Sequence, residues 1–70
     1  MQLVSVDSSN LSAVGYEPAS GTLELEFQNG HLYRYSRVPP LVHRALMGSD
    51  SKGAYFTDFI RDRFPYEQLR

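Results

Sequence analysis

The chain has 70 residues, no cysteine and a net charge of −1. This length predicts one domain with a small core, and the lack of cysteine excludes disulfides and thiolate metal sites, which fits a reducing compartment. No apolar run reaches the roughly 18 residues that cross a bilayer, and residues 1–4 do not read as a signal peptide. We therefore predict a cytoplasmic domain over 1–70, free-standing or detached from a larger protein. Residues 1–9 are expected to form a loose lead-in, with a short edge strand as the alternative, and residues 66–70 a tail.

The charges are unevenly distributed along the chain. Residues 1–30 contain four acidic side chains and no lysine or arginine, whereas residues 31–70 contain all seven basic side chains and four acidic ones, a local net charge of +3. This asymmetry permits a basic face on a nearly neutral protein. The alternative interpretation is a solvated surface of mixed charge.

Three segments have the composition of strands: Leu11 to Tyr16, Thr22 to Gln28 and His31 to Val38. In the second segment Leu23, Leu25 and Phe27 alternate with polar residues, which predicts one buried and one solvated face. Asn29-Gly30 between the second and third segments is typical of a tight hairpin turn. The sequence therefore predicts an antiparallel meander.

The length of the hairpin turn decides which face carries the tyrosines of the third strand. A two-residue turn places Tyr33 and Tyr35 on the face of the glutamates in the preceding strand. A three-residue turn, with a bulge at Gly30, places both tyrosines opposite leucines and Arg34 opposite Glu24. A slip of one residue exchanges these faces. We favour the three-residue turn, because it pairs opposite charges on the wet side and apolar groups on the dry side.

Two helices are predicted after the strands. Pro39-Pro40 suits the start of the first helix, and Gly48 suits its end. Its apolar stripe consists of Leu41, Val42, Ala45 and Leu46. Ser49 or Ser51 suits the cap of the second helix, whose apolar face contains Tyr55, Phe56, Phe59 and Ile60. We predict an α+β fold in which a three-stranded antiparallel meander is followed by two short helices packed on one face.

No arrangement of residues predicts catalysis or metal binding. His31 and His43 are far apart and lack a carboxylate at metal-ligand spacing, and His43 is expected on the outer face of the first helix. No serine lies in a nucleophile-elbow pattern, and no acid and base are paired. Glu24 and Glu26 alternate on a strand, as on an ordinary solvated sheet surface. We predict a non-enzymatic protein with no catalytic residues, no cofactor and no metal.

Two short motifs suggest contacts with phosphate or nucleic acid. Ser51-Lys52-Gly53 at a helix start would provide an anion-binding corner, but a simple helix cap with a close-packed glycine explains it better. Tyr33-Arg34-Tyr35, followed by Arg37, has the composition of a nucleic-acid platform, because aromatic rings stack on bases and guanidinium groups pair with phosphates. The alternative is that both tyrosines fill the core with their rings.

The order of these motifs resembles the KTSC domain over residues 5–68. The matching positions are Gly30, Tyr33-Arg34-Tyr35, Val38-Pro39, Ser51-Lys52-Gly53, Phe56 and Ile60-Arg61. The family is named for the C-terminal module of some lysyl-tRNA synthetases and includes stand-alone bacterial proteins. The resemblance implies RNA as a ligand through this association, and it implies no catalytic residues. Many members have an aromatic residue where this chain has Ser36.

We therefore predict a binding module for RNA or another phosphate-bearing polyanion, with no membrane contact. Its candidate binding residues are Tyr33, Arg34, Tyr35, Arg37, Lys52, Arg61 and Arg63. The alternative is a protein-interaction module. An open edge of the predicted three-stranded sheet would accept a strand from another protein or from a second copy of this chain.

Overall fold

A computed structural model describes residues 1–70 as one antiparallel sheet with two helices. The elements are β1 (Val4–Ser5), β2 (Leu11–Glu17), β3 (Thr22–Phe27), β4 (Leu32–Tyr35), α1 (Pro40–Gly48), α2 (Lys52–Tyr55), a π-helical turn (Phe56–Ile60) and β5 (Tyr66–Gln68). The strands lie in sequence order across the sheet. The α+β class is confirmed, but the prediction of three strands is wrong, because the sheet has five. Neither helix has the length and apolarity that a bilayer crossing requires.

The two strands beyond the predicted meander lie at the edges of the sheet. A short edge strand within residues 1–9 was an alternative to a loose lead-in, whereas residues 66–70 were predicted as a tail. Val4 in β1 pairs with Val14 in β2, and Tyr66 in β5 pairs with Tyr35 in β4. Strands of two and three residues are too short to show an alternating pattern in the sequence. They form because the outer edges of β2 and β4 present backbone N–H and C=O groups that need partners. The edges expected to be open for self-association are therefore already paired.

The hairpin between β3 and β4 has the three-residue turn. The Phe27 N–H donates to the His31 carbonyl at 2.9 Å, and Gly30 has a φ of 93°, which a residue with a side chain rarely adopts. Tyr33 consequently pairs with Leu25, as predicted. The register places the tyrosines of β4 on the same face as the leucines of β3, which is the face that the helices cover.

The core joins that sheet face to one residue from α1 and one from the π-helical turn. Its buried members are Leu11, Val14, Leu23, Leu25, Tyr35, Val38, Leu46 and Ile60. Leu46 comes from α1 and Ile60 from the π-helical turn. The predicted bounds of α1 are confirmed, with Pro39 at its start and Gly48 at its end.

Three side chains of the helical region do not lie where the apolar pattern placed them. Leu41 is 68% exposed and Phe59 is 54% exposed, although both were predicted on buried stripes. Leu41 lies in the first turn of α1, and Phe59 points outwards because the π-helical turn changes the helical phase. His43 was expected on the outer face, but its ring stacks on Tyr16 at 4.5 Å, and burial lowers its pKa.

Candidate functional site

An open cleft of about 320 Å³ lies where β4 and β5 meet the chain that leaves the π-helical turn. We call it the aromatic cleft. Its lining residues are Phe27, Asn29, His31, Tyr33, Tyr35, Phe56, Arg61, Asp62 and Tyr66. Five of them are apolar or aromatic, and the others supply amide, imidazole, guanidinium and carboxylate groups. The cleft therefore combines ring surfaces with polar groups of several kinds.

The strand register brings three tyrosines together in this cleft. Tyr35 lies between Leu23 of β3 and Tyr66 of β5, and Tyr33 follows it two residues earlier on the same face of β4. The ring centroids are 6.4 Å apart for Tyr33 and Tyr35, 5.5 Å for Tyr35 and Tyr66, and 5.7 Å for Tyr33 and Tyr66. The planes of these rings differ by 21° to 37°. They form a cluster of mutually tilted rings across two strands.

Two phenylalanines close the core side of the tyrosine group. The Phe56 ring meets Tyr35 edge-on at 5.8 Å and Phe27 edge-on at 5.2 Å. The start of α2 fixes this wall, because the Ser51 hydroxyl accepts a hydrogen bond from the Ala54 N–H at 3.3 Å. Of the two predicted cap residues, Ser49 and Ser51, the structure uses Ser51. Perpendicular contacts of this kind are the favoured geometry of aromatic pairs and hold the rings in place.

The three tyrosines of the cleft differ in how much of each side chain is exposed to solvent. Tyr35 is 3% exposed and Tyr66 is 56% exposed, whereas Tyr33 is half-buried and donates from its hydroxyl to Gln68 at 3.3 Å. The Tyr35 hydroxyl forms no hydrogen bond, and no buried side-chain polar atom lacks a partner. This hydroxyl therefore meets solvent. The cleft offers a ring surface at Tyr66 and an available hydroxyl at Tyr35.

The environment of the cleft keeps the Tyr35 hydroxyl protonated. Burial of Tyr35 raises its pKa from 10.0 to about 12. The phenol groups of Tyr33 and Tyr66 and the carboxylate of Asp62 add to the increase, and Arg61 opposes it. These influences also show that the charges of Arg61 and Asp62 lie near the hydroxyl. At neutral pH the hydroxyl is a hydrogen-bond donor.

Arg61 and Asp62 form a charged wall of the cleft. The Arg61 N–H closes the π-helical turn by donating to the Phe56 carbonyl at 2.8 Å, and Asp62 then adopts a left-handed backbone with a φ of 62°. The ion pairs of the protein involve Arg34 and Arg70 as the basic partners. Neither the Arg61 guanidinium nor the Asp62 carboxylate therefore takes part in an ion pair.

The structure separates the other candidate residues from this cleft. Arg34 lies on the opposite face of the sheet, where it contacts Glu24 at 3.0 Å and Glu67 at 3.6 Å. Lys52 donates from its ammonium group to the Ser49 carbonyl at 3.2 Å. Arg37 is exposed in a tight turn with a φ of 59°. Of the seven predicted residues, the cleft brings together Tyr33, Tyr35 and Arg61, and Arg63 lies exposed just beyond it.

The Ser51-Lys52-Gly53 corner is occupied by contacts within the protein. Gly53 is buried, and a Cβ atom at this position would lie 2.6 Å from the Asn10 side-chain amide. The Ser51 hydroxyl is engaged as the helix cap. These contacts explain why the motif has a glycine: the loop before β2 packs directly on the first turn of α2.

Sequence reasoning missed six of the nine lining residues, which are Phe27, Asn29, His31, Phe56, Asp62 and Tyr66. Tyr66 was assigned to a tail, and Asp62 and Asn29 were given no role in a site. The sequence contained one signal for the position of Tyr66. If the residues after Pro65 formed a short strand, Glu67 would pair with Arg34, as it does in the structure. That pairing would have placed Tyr66 beside Tyr35.

Comparison with known proteins identifies the family. The KTSC domain profile matches residues 7–64. A lysine–tRNA ligase from Nostoc is 45% identical over 67 residues, which cover 96% of this chain and 12% of the ligase. A protein from Stutzerimonas stutzeri is 44% identical over 61 residues, which cover 87% of this chain and 86% of that protein.

A solved structure has the same fold. The crystal structure of a KTSC domain protein from Yersinia pestis superposes with a TM-score of 0.92 at 33% identity, and the match covers 99% of this chain and 97% of that one. The chain therefore spans nearly all of its small relatives but only 12% of the ligase. The family profile, the similar sequences and the similar structure all confirm the resemblance inferred from the motifs. This chain belongs to the KTSC domain family.

Proposed function

We propose that the protein is a non-enzymatic module that binds single-stranded RNA through the aromatic cleft. An unpaired base would stack on the exposed ring of Tyr66, and Arg61 would contact the neighbouring phosphate. The observation that carries this proposal is the convergence of three tyrosines and an arginine without an ion pair in one open cleft. Aromatic rings beside guanidinium groups are the usual way in which proteins bind unpaired nucleotides.

The family relationship supports RNA over other polyanions. In Nostoc, a segment 45% identical to this chain is part of a lysine–tRNA ligase, a protein whose name includes tRNA. A small module within such a protein would lie close to RNA. The same proposal places this protein in the cytoplasm, where single-stranded RNA and reducing conditions coexist.

The charge distribution restricts the proposed contact to a few phosphates. Arg34 is already paired with two glutamates on the other side of the sheet. We therefore assign phosphate contacts to Arg61 and to the adjacent Arg63. Arg37 and Lys52 remain outside the cleft and would contact only a longer RNA that extends over the surface.

The test is a titration of a labelled single-stranded RNA of about ten nucleotides at low salt. Tyr66→Ala should weaken binding by about 5- to 150-fold, because stacking on an aromatic ring contributes about 1–3 kcal/mol per base. Arg61→Ala should weaken it as well. Phe59→Ala and Arg44→Ala are matched controls, because both side chains are exposed outside the cleft, and both variants should bind like the wild type.

Two results would overturn this proposal. One is the absence of RNA binding by the wild-type protein at low salt. The other is equal affinity of the wild type, Tyr66→Ala and Arg61→Ala, which would place any RNA contact away from the cleft.

A protein-interaction module is the second candidate function. The observation that favours it is the outer edge of β5, whose residues Tyr66–Gln68 are all exposed. A partner strand would add to this edge through backbone hydrogen bonds. An edge of three residues offers few such bonds, so we rank this function below RNA binding.

A further inference from the structure

We infer that the aromatic cleft selects guanine among the four RNA bases, with Asp62 as the residue that determines this specificity. The inference rests on the proposed function, because it concerns the base that occupies the same cleft. It adds the identity of the ligand and a role for an acidic residue that RNA binding alone does not explain.

The position of Asp62 is the starting observation. Asp62 lines the cleft beside Arg61, its charge acts on the Tyr35 hydroxyl, and its carboxylate takes part in no ion pair. A carboxylate repels phosphate, so at this place it weakens general affinity for a polyanion. Its backbone has a φ of 62°, a conformation that aspartate and asparagine tolerate better than most residues. Among the uncharged groups of a ligand, such a carboxylate attracts hydrogen-bond donors.

The chemistry of the bases points to guanine. An ionised carboxylate has two acceptor oxygens and no donor. Guanine is the only RNA base with two adjacent donors on its pairing edge, N1–H and the N2 amino group, so it alone would bind both oxygens. Adenine and cytosine each present one amino group beside a ring nitrogen whose lone pair would face the second oxygen. Uracil presents a single N–H between two carbonyl groups.

The other polar group of the cleft complements the remaining atom on that edge. Guanine O6 lies next to N1–H and accepts hydrogen bonds. The Tyr35 hydroxyl meets solvent in the cleft and lacks a hydrogen bond within the protein. It would donate to O6 while Asp62 accepts from the other two groups. Tyr66 would supply the stacking surface, and Arg61 would contact the phosphate of the same nucleotide.

The experiment compares four oligouridines of about ten nucleotides that differ only in a central G, A, C or U. The wild-type protein should bind the G-containing RNA at least about fivefold more tightly than the other three, as a bidentate contact discriminates between bases. Asp62→Asn should reduce this preference to near one, because an amide offers one acceptor and one donor group. Asparagine also tolerates the left-handed backbone, so the loop keeps its shape. Asp58→Asn is the matched control, since Asp58 is exposed in the π-helical turn and does not line the cleft, and it should retain the preference.

The outcomes separate this inference from the proposed function. Equal affinity for all four RNAs overturns guanine selection and leaves RNA binding in place. A G preference that survives Asp62→Asn overturns the role of Asp62 as the residue that determines the preference. If none of the four RNAs binds, both guanine selection and the proposed RNA binding are overturned. Competition with guanosine monophosphate and with adenosine monophosphate distinguishes the source of the guanine. If guanosine monophosphate binds as tightly as the G-containing RNA, guanine selection stands but the ligand is a free nucleotide, and the RNA proposal fails.

Discussion

Tyr35 belongs both to the core and to the aromatic cleft. Its ring is 3% exposed and packs with Leu23 and Phe56, while its hydroxyl meets solvent. This arrangement uses the two parts of a tyrosine side chain, an apolar ring and a polar tip. The surrounding rings and the nearby Asp62 make ionisation of the hydroxyl unfavourable. The same residue therefore couples the cleft to the stability of the fold.

This coupling predicts a loss of stability at alkaline pH. The pKa of Tyr35 is about 12 in the folded protein against 10.0 for an ordinary tyrosine, so its contribution is complete below pH 10 and is lost as the pH rises towards 12. Between pH 9 and pH 11 the free energy of unfolding should fall by about 1.4 kcal/mol through this group. Urea unfolding of the wild type and Tyr35→Phe across this range measures the difference. A parallel fall in both proteins would contradict the assignment.

At the scale of single elements, the π-helical turn after α2 decides which residues reach the core and which reach the cleft. Its wider ring, closed by the hydrogen bond from Arg61 to Phe56, buries Ile60 completely and leaves Phe59 outside, where it packs on Tyr55 at 4.8 Å. The chain then leaves the turn with Arg61 and Asp62 at the cleft. Turns of this kind are frequent at functional sites.

Because the π-helical turn buries Ile60 and exposes Phe59, we expect substitutions of these two neighbours to reduce stability by different amounts. Ile60→Ala should reduce the free energy of unfolding by about 2–5 kcal/mol, because it removes buried methyl groups and leaves a cavity. Phe59→Ala should cost less than about 1 kcal/mol, since half of its ring already contacts water. Chemical denaturation of both variants tests the prediction. Similar losses in the two variants would show that the segment continues as a regular α-helix with both side chains packed.

The last strand, β5, completes the cleft and holds the end of the chain against the hairpin. Arg70 donates to the Gly30 carbonyl at 3.2 Å and forms an ion pair with Glu26. Glu67 lies opposite Arg34 on the outer face of the sheet. These contacts position Tyr66 beside Tyr35. Without β5 the tyrosines of β4 would form one side of an open sheet edge instead of a cleft.

At the scale of the whole molecule, most strand charges are neutralised on one face of the sheet. Arg34 lies between Glu24 and Glu67, and Arg70 pairs with Glu26. The tyrosines and Arg61 lie on the other side. The protein, whose net charge is −1, therefore presents Arg61 beside a carboxylate at the cleft and has no broad basic surface there. Such a site favours recognition of one or two nucleotides over non-specific attachment to long RNA.

This layout predicts a shallow salt dependence of RNA binding. Each phosphate neutralised on a single strand contributes about −0.7 to the slope of log affinity against log salt concentration. Contacts by Arg61 and Arg63 should give a slope of about −1.4, and Arg63→Ala should reduce it to about −0.7. Arg44→Ala is the control and should leave the slope unchanged. A slope steeper than about −3 would require more cations than the cleft provides and would contradict the assignment.

The sequence by itself determined the parts of the protein that depend on local chemistry. Asn29-Gly30 and the alternation of β3 established the hairpin, and the match of Glu24 with Arg34 favoured the correct register. The bounds of α1 and a serine cap on the next helix, at Ser49 or Ser51, also followed from local preferences. Such features are predictable because neighbouring residues supply most of the interactions that form them. The family resemblance also followed from the sequence, because it rests on the order of motifs.

Only the tertiary structure decided the composition of the aromatic cleft. β1 and β5 are too short to carry a periodic signal, and their pairing depends on sheet edges formed by distant residues. Tyr66 reaches Tyr35 because the chain returns to β4 after two helical segments, which no local pattern encodes. The register that buried Tyr35 also turned Arg34 to the opposite face, so adjacent residues in the sequence became parts of different surfaces. The cleft thus arises from contacts between segments far apart along the chain, and these form only when the sheet is complete.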